Sequence, residues 1–161
     1  MIFVTVGTTD FDALIRKMDE LAPTLADEVV AQIGRGRYVP AHMEHFRFAP
    51  SLDPYYRRAR MVVAHGGLGT MIEVLQWGTK LIGVSNPDRY DRHQDDLLST
   101  LDSRGHMVWC RQLGDLPQAL AEIDARTFVP YVTPCCHIAQ VIREYLGLSE
   151  SGRPKGQATD E

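Results

Sequence analysis

Short apolar runs recur along this chain at residues 2–6, 29–33, 46–48, 61–64, 81–84 and 107–109, and stretches with helical spacing separate several of them. Nothing else in the sequence constrains the fold as much. Apolar runs this short and this continuous suit strands covered on both faces. Strand, helix and strand in alternation close most readily as crossovers between parallel strands. The expected fold class is α/β: a Rossmann-like parallel sheet of about six strands with helices on both faces. The residues that follow the runs sharpen this expectation. Gly7-Thr8-Thr9 follows the first, Gly34-Arg35-Gly36 the second, Ala49-Pro50-Ser51 the third, His65-Gly66-Gly67 the fourth and Ser85-Asn86-Pro87 the fifth. In an open parallel sheet these points share the carboxyl edge, where ligands bind near the switch in strand order.

Helical spacing is clearest at residues 11–21, where Leu14, Ile15, Met18 and Leu21 share a face. Residues 91–101 and 116–123 read the same way. Near the end, Ile138, Val141, Ile142 and Tyr145 predict an amphipathic helix that Gly147 stops. From Ser149 the chain reads SESGRPKGQATDE, polar and without apolar periodicity. The expected organisation is one domain over residues 1–148 and a disordered tail over 149–161.

Composition narrows the function. A formal net charge of -4 argues against a free-standing nucleic-acid binder. No apolar run approaches the length of a membrane span. Ile2-Phe3-Val4-Thr5-Val6 reads as a buried strand and not as a leader, so the expected compartment is the cytoplasm. The three cysteines, Cys110, Cys135 and Cys136, lack the spacing of a disulfide framework or a zinc site. Cys136-His137 is half of a ligand set with no second half, so no metal is expected.

The fourth run leads into VVAHGGLGTMIEVLQWGTKLIGV, a strand, a glycine-rich bend and a helix. A helix N-terminus offers unpaired N–H groups and a partial positive charge. Gly66, Gly67 and Gly69, followed by Thr70, suit a phosphate cradle; a tight turn with no ligand explains the same glycines. There is no GK[ST], and Ile72 stands where GxGxxG needs its third glycine. Leu68, Met71, Ile72 and Leu75 form the expected apolar stripe, and Glu73 points away from it. Two readings of Glu73 stay open. Thr70-Met71-Ile72-Glu73 fits a capping box, and a carboxylate at this place also suits the hydroxyls of a ribose whose phosphates rest on the bend. The polar stretch NPDRYDRHQDD after the fifth run suits sugar recognition, or a solvated helix start capped by Asp91.

Three stretches taken together carry a resemblance: FVTVGTTDFDALI, FAPSLDPYYRRARMVVAHGGLGTMIEVLQWGTKLIGVSN and HQDDLL. Over about residues 1–145 the chain resembles the donor-binding, C-terminal half of the family 28 glycosyltransferases, which include the enzyme that adds N-acetylglucosamine to make lipid II. It is more similar still to the small catalytic subunits of split enzymes. These are the eukaryotic subunit that adds the second N-acetylglucosamine to dolichol-linked sugar, and exopolysaccharide subunits of the PssE kind. The resemblance implies a GT-B architecture in two chains, with this chain as the C-terminal half. It would hold a UDP-sugar as substrate, with no cofactor and no metal. A membrane-anchored partner would supply the acceptor-binding half and the lipid-linked, polyprenyl diphosphate acceptor. The complex would sit on the inner face of the membrane through that partner. Residue by residue, Glu73 matches the acid that holds the ribose, and Gly66, Gly67, Gly69 and Thr70 match the diphosphate loop. His93 and Gln94 match the polar pair on the donor sugar. Phe48 and Ala49 fall in the segment against the base. Gly7, Thr8 and Asn86, at strand ends on the same edge, complete the expected donor-binding set. With this context the ribose reading of Glu73 is preferred.

The implied reaction is inverting transfer by direct displacement, with the helix N-terminus steadying the departing diphosphate. The general base falls to the partner or to His65, which also reads as a histidine bonded to backbone. Asp10 and Asp12 can face an acceptor, though support of the first helix is preferred. Arg35 and Arg37 suit either phosphate or solvent. Arg57, Arg58 and Arg60 suit either anionic lipid or solvent, solvent being preferred. The final helix is a candidate contact for the partner. Two other classes compete: a non-catalytic nucleotide-sugar-binding module that regulates a partner, and an NAD-type oxidoreductase using Asp88 on the ribose. Ile72 counts against the second.

Overall fold

A computed structural model describes residues 1–87, 93–133 and 145. The chain divides into two compact units, Met1–Tyr131 and Val132–Glu161. The expected tail, the expected last helix apart from Tyr145, and Cys135, Cys136, His137, Asp88 and Asp91 lie outside the described residues.

The first unit holds β1 (Ile2–Thr5), α1 (Asp12–Leu21), β2 (Val29–Gln32), β3 (Glu44–Phe46), α2 (Asp53–Arg58) and β4 (Met61–His65). It continues with α3 (Leu68–Gln76), β5 (Lys80–Val84), α4 (His93–Ser103), β6 (Val108–Cys110) and α5 (Leu116–Glu122). The six strands form one sheet in the order β3-β2-β1-β4-β5-β6, and every pairing is parallel. β1 is the hinge of this order. Val4 pairs with Ala31 of β2 on one side and with Val63 of β4 on the other. The crossovers run outward in opposite directions from that pair, so a crevice opens between the carboxyl ends of β1 and β4.

Side chains of the central strands alternate between two cores, as strand geometry requires. Ile2, Val4 and Val6 pack with Leu14, Ile15, Met18, Leu116 and Leu120 from α1 and α5. Phe3, Val62 and Ala64 pack with Tyr56, Met71, Val74, Leu75, Leu98 and Leu101 from α2, α3 and α4. Both faces are therefore covered, and β1 and β4 are buried throughout. Each fully buried Leu or Ile contributes about 1.5–3 kcal/mol relative to exposure.

Several expectations need correcting. The third strand is Glu44–Phe46 rather than 46–48, and Phe48 lies beyond it, 55% exposed. As an edge strand with exposed polar residues, β3 hides its apolar signal. The helix α2 went unread. Its marks are Pro54 in the first turn, Asp53 beside it and the buried Tyr56. Leu68 is not part of the apolar stripe of α3: it is exposed, and Met71, Val74 and Leu75 form the buried face.

Loops at the carboxyl edge are tied down internally. Gly7 and Gly34 both have positive φ, and a Cβ on Gly34 would lie 2.3 Å from the Thr9 carbonyl oxygen. Only glycine lets the two turns meet. Asp12 accepts hydrogen bonds from the Arg37 and Tyr38 amides at 3.0–3.2 Å. Its carboxylate therefore braces the turn after β2 and does not support the start of α1 alone. Asp19 accepts from the Tyr38 hydroxyl and from the Ala41 and His42 amides. Burial opposes its charge, but those hydrogen bonds outweigh burial and hold the carboxyl below its ordinary value.

Candidate functional site

The crevice at the ends of β1 and β4 has a volume of about 610 Å³, within the range of small-molecule sites. Three segments wall it. The turn after β1 supplies Gly7, Thr8 and Thr9; the loop into α2 supplies Ala49, Pro50, Ser51, Leu52 and Asp53. The end of β4 and the first two turns of α3 supply His65, Gly67, Leu68, Gly69, Thr70 and Glu73. Gln32, the last residue of β2, closes the floor.

The start of α3 presents its backbone to this space. Gly67 is the N-cap and no side chain caps the helix. The amide of Gly67 donates to the His65 carbonyl, and that of Met71 to the Gly67 carbonyl. The amides of Leu68, Gly69 and Thr70 are the ones a helix leaves without an intrahelical partner. All three residues line the crevice. The capping-box reading is thereby corrected: Thr70 is the third helical residue, not the cap, so Glu73 has no capping role to play.

The glycines of the bend divide by use. A Cβ on Gly66 would meet Gln94 and Leu98 of α4 at 3.1 Å. A Cβ on Gly67 would lie 2.4 Å from His65 Nε2, and one on Gly7 would lie 3.1 Å from His65 Cε1. The His65 ring thus sits between two glycine turns that have no room for a side chain. Gly69 differs, with open space where its Cβ would be. Two of the glycines that read as an approach path for ligand are explained by packing within the protein. Only Gly69 leaves its space to a guest.

Glu73 stands one turn further along α3, exposed and facing the crevice. The Tyr56 hydroxyl donates to its Oε2 at 3.3 Å. Tyr56 is 1% exposed, and burial, then the Glu73 charge and hydrogen bond, push its pKa far up. The phenol therefore stays protonated and remains a donor at any physiological pH.

Among known proteins, residues 1–125 match the Glycosyltransferase family 28 C-terminal domain. The chain belongs to family 28. It is 32% identical over 122 residues to the human UDP-N-acetylglucosamine transferase subunit ALG13, an alignment covering 68% of this chain and 11% of the human protein. The Yarrowia lipolytica subunit of the same name is 27% identical over 67% of this chain and 63% of its own length. The chain thus spans only about a tenth of its mammalian relatives. Two solved structures share the fold. MurG of Acinetobacter baumannii has a TM-score of 0.61 at 20% identity, over 78% of this chain and 42% of MurG. The solution structure of ALG13 has a TM-score of 0.58 at 17% identity, over 89% and 93%. The fold is that of the C-terminal half of a GT-B glycosyltransferase.

Of the candidate site residues, the structure brings Gly7, Thr8, Ala49, His65, Gly67, Gly69, Thr70 and Glu73 to one crevice. Gly66 faces α4, and Phe48, Asn86 and Gln94 are not among the lining residues. The side chain of His93 lies outside the described residues. Thr5, Gln32, Asp53 and Tyr56 went unread as site residues. Thr5 accepts the Gly7 amide at 3.0 Å and donates to Gln32 Oε1 at 2.6 Å, so a buried pair sets the first turn. A polar residue closing an otherwise apolar strand was the available signal for Gln32. Among the described residues, no group of three or more His, Cys, Asp and Glu is placed to hold a metal. No described helix is long and apolar enough to cross a membrane.

Proposed function

We propose that this chain is the donor-binding subunit of a split glycosyltransferase that moves a sugar from a UDP-sugar to a lipid-linked saccharide. One observation carries the reading: three helix-start amides and a carboxylate one turn further on face the same switch-point crevice. The amides and the field of α3 suit a diphosphate. Glu73 is then placed for the ribose hydroxyls, Ala49 and the adjoining loop for the base, and Thr8 for the phosphates or sugar. The named activity of the ALG13 relatives, a UDP-N-acetylglucosamine transferase subunit, supports a UDP-linked donor and a subunit role.

In the reaction, an acceptor hydroxyl attacks the anomeric carbon from the face opposite the diphosphate. The new carbon–oxygen bond forms as the bond to the β-phosphate oxygen breaks, with inversion. The electron pair leaves with UDP, whose growing charge the α3 amides meet without reorganising. The hydroxyl proton passes to a base, either His65 at the crevice floor or a residue of the partner. The partner holds the acceptor and associates with the membrane; this chain does so only through it. No step in this reading calls for a metal.

The test is co-expression with a candidate membrane partner, followed by a screen of UDP-sugars against a polyprenyl-linked acceptor. Transfer should require both chains and should fall with Glu73→Ala. UDP-sugar binding without transfer in any combination would favour a regulatory module instead.

A further inference from the structure

The helix that the sequence pattern concealed, α2, contributes a single polar group to the crevice's acid. Tyr56 is buried among Phe3, Phe46 and Tyr55, with the Phe3 ring edge-on at 5.8 Å. Its backbone carbonyl accepts from the Thr79 hydroxyl at 3.2 Å, which fixes the residue against the far end of α3. Its own hydroxyl donates to Glu73 Oε2 at 3.3 Å. A second tie lies alongside: Trp77 Nε1 donates to Asp53 at 3.1 Å, and Arg57 lies over the Trp77 ring. α2 and α3 are therefore joined by Tyr56–Glu73 near the crevice and by Asp53–Trp77 further along.

An exposed glutamate on a helix samples several rotamers, and holding one of them costs entropy when a ligand binds. A donor fixed in the core removes part of that cost. It also occupies one lone pair of Oε2, and a carboxylate has lone pairs enough on its two oxygens to accept from a vicinal pair of hydroxyls as well. We propose that Tyr56 is a positioning residue that aligns Glu73 for the two ribose hydroxyls, and so sets the preference of the site for ribonucleotides over 2′-deoxyribonucleotides. This rests on the reading of Glu73 as the ribose ligand.

The experiment measures the affinities of the full chain for UDP and for dUDP, by calorimetry, in wild type, Tyr56→Phe and Glu73→Ala. Each ratio comes from one preparation, so any loss of folded protein cancels from it. Wild type should prefer UDP, and Glu73→Ala should abolish the preference. Tyr56→Phe should narrow it about threefold to tenfold, the scale of one hydrogen bond, chiefly by weakening UDP. A Tyr56→Phe ratio equal to wild type, with the Glu73→Ala ratio collapsed, overturns the inference and leaves Tyr56 a packing residue. Equal UDP affinity in wild type and Glu73→Ala, or no UDP binding by wild type, removes the ribose reading beneath it instead.

Discussion

At the amino edge of the sheet, Arg60, Asp27, Lys80, Asp124 and the chain's own amino group satisfy one another. Arg60 pairs with Asp27 and Asp124, Lys80 reaches Asp124 at 2.8 Å, and the amino group reaches Asp27 at 3.1 Å. At the carboxyl edge, Glu73 makes no ion pair among the described residues, and the first amides of α3 face open space. The same sheet thus closes its charges at one end and, at the crevice around Glu73 and the start of α3, leaves polar groups open at the other. Closure keeps strand starts in register at little functional risk. Openness leaves hydrogen-bonding capacity for a ligand. Arg60 shows the difference within one short stretch. It reads in sequence as part of a basic cluster with Arg57 and Arg58. In the structure Arg60 joins the network, Arg57 covers Trp77 and Arg58 lies 4.0 Å from Glu28.

The sharpest way to break this contrast is at the glycine bend. Gly67→Ala drives a methyl group into His65, and overpacking of this kind costs about 1–3 kcal/mol. The expected result is lower stability in urea unfolding together with lost UDP binding. Gly69→Ala meets no atom within 4 Å. It should leave stability equal or slightly raised, by about 0.5–1 kcal/mol, because alanine favours a helix more than glycine does. UDP affinity should still fall, since the methyl group enters ligand space. If Gly69→Ala binds UDP as wild type does, the diphosphate does not rest on α3.

Glu73→Ala comes next. Loss of a charged hydrogen bond to a ribose should weaken UDP by roughly 1.5–3 kcal/mol. Thermal stability should fall only by about the worth of one hydrogen bond, roughly 0.5–1.5 kcal/mol, because the Tyr56 hydroxyl loses its acceptor while no helix cap is lost. A fall in melting temperature with affinity intact would reverse the assignment and place Glu73 with the closed edge.

How much of this was legible beforehand depends on where a residue's partner sits. Strand order and the converging turns were readable because apolar periodicity and glycine placement are local signals. The fold class, the family and the crevice follow from them. α2 was not readable, since six residues give less than two turns of periodicity, and Tyr56 reads as one more polar aromatic in DPYYRR. The packing that excludes a side chain at Gly66 and Gly67 was hidden for the same reason. The atoms that exclude their side chains belong to Leu98, Gln94 and a histidine ring whose direction the sequence does not state. Gln32 depends on Thr5, 27 residues earlier, which only the pairing of β1 with β2 brings near.

The smallest expected effect tests the closed edge itself. Arg60→Ala should lower stability by roughly 1 kcal/mol, as partly exposed ion pairs do, and leave UDP affinity unchanged. Its pH dependence is the more telling measurement. The Arg60 hydrogen bond, against opposing burial and with help from the amino group, holds the Asp27 carboxyl below its ordinary value. Lys80 does the same for Asp124, again against burial and with Arg60 adding to it. A carboxyl depressed in the folded state binds its proton more readily once unfolded. Its stabilisation is therefore complete above the ordinary value of 3.8 and is lost as pH falls through the lower, folded value. Urea unfolding of wild type and Arg60→Ala should differ most near neutrality, and the two curves should converge as the buffer is taken below pH 3.8. A difference that stays constant through that range would mean that Arg60 acts by packing its stem, and that the amino edge is held by contact and not by charge.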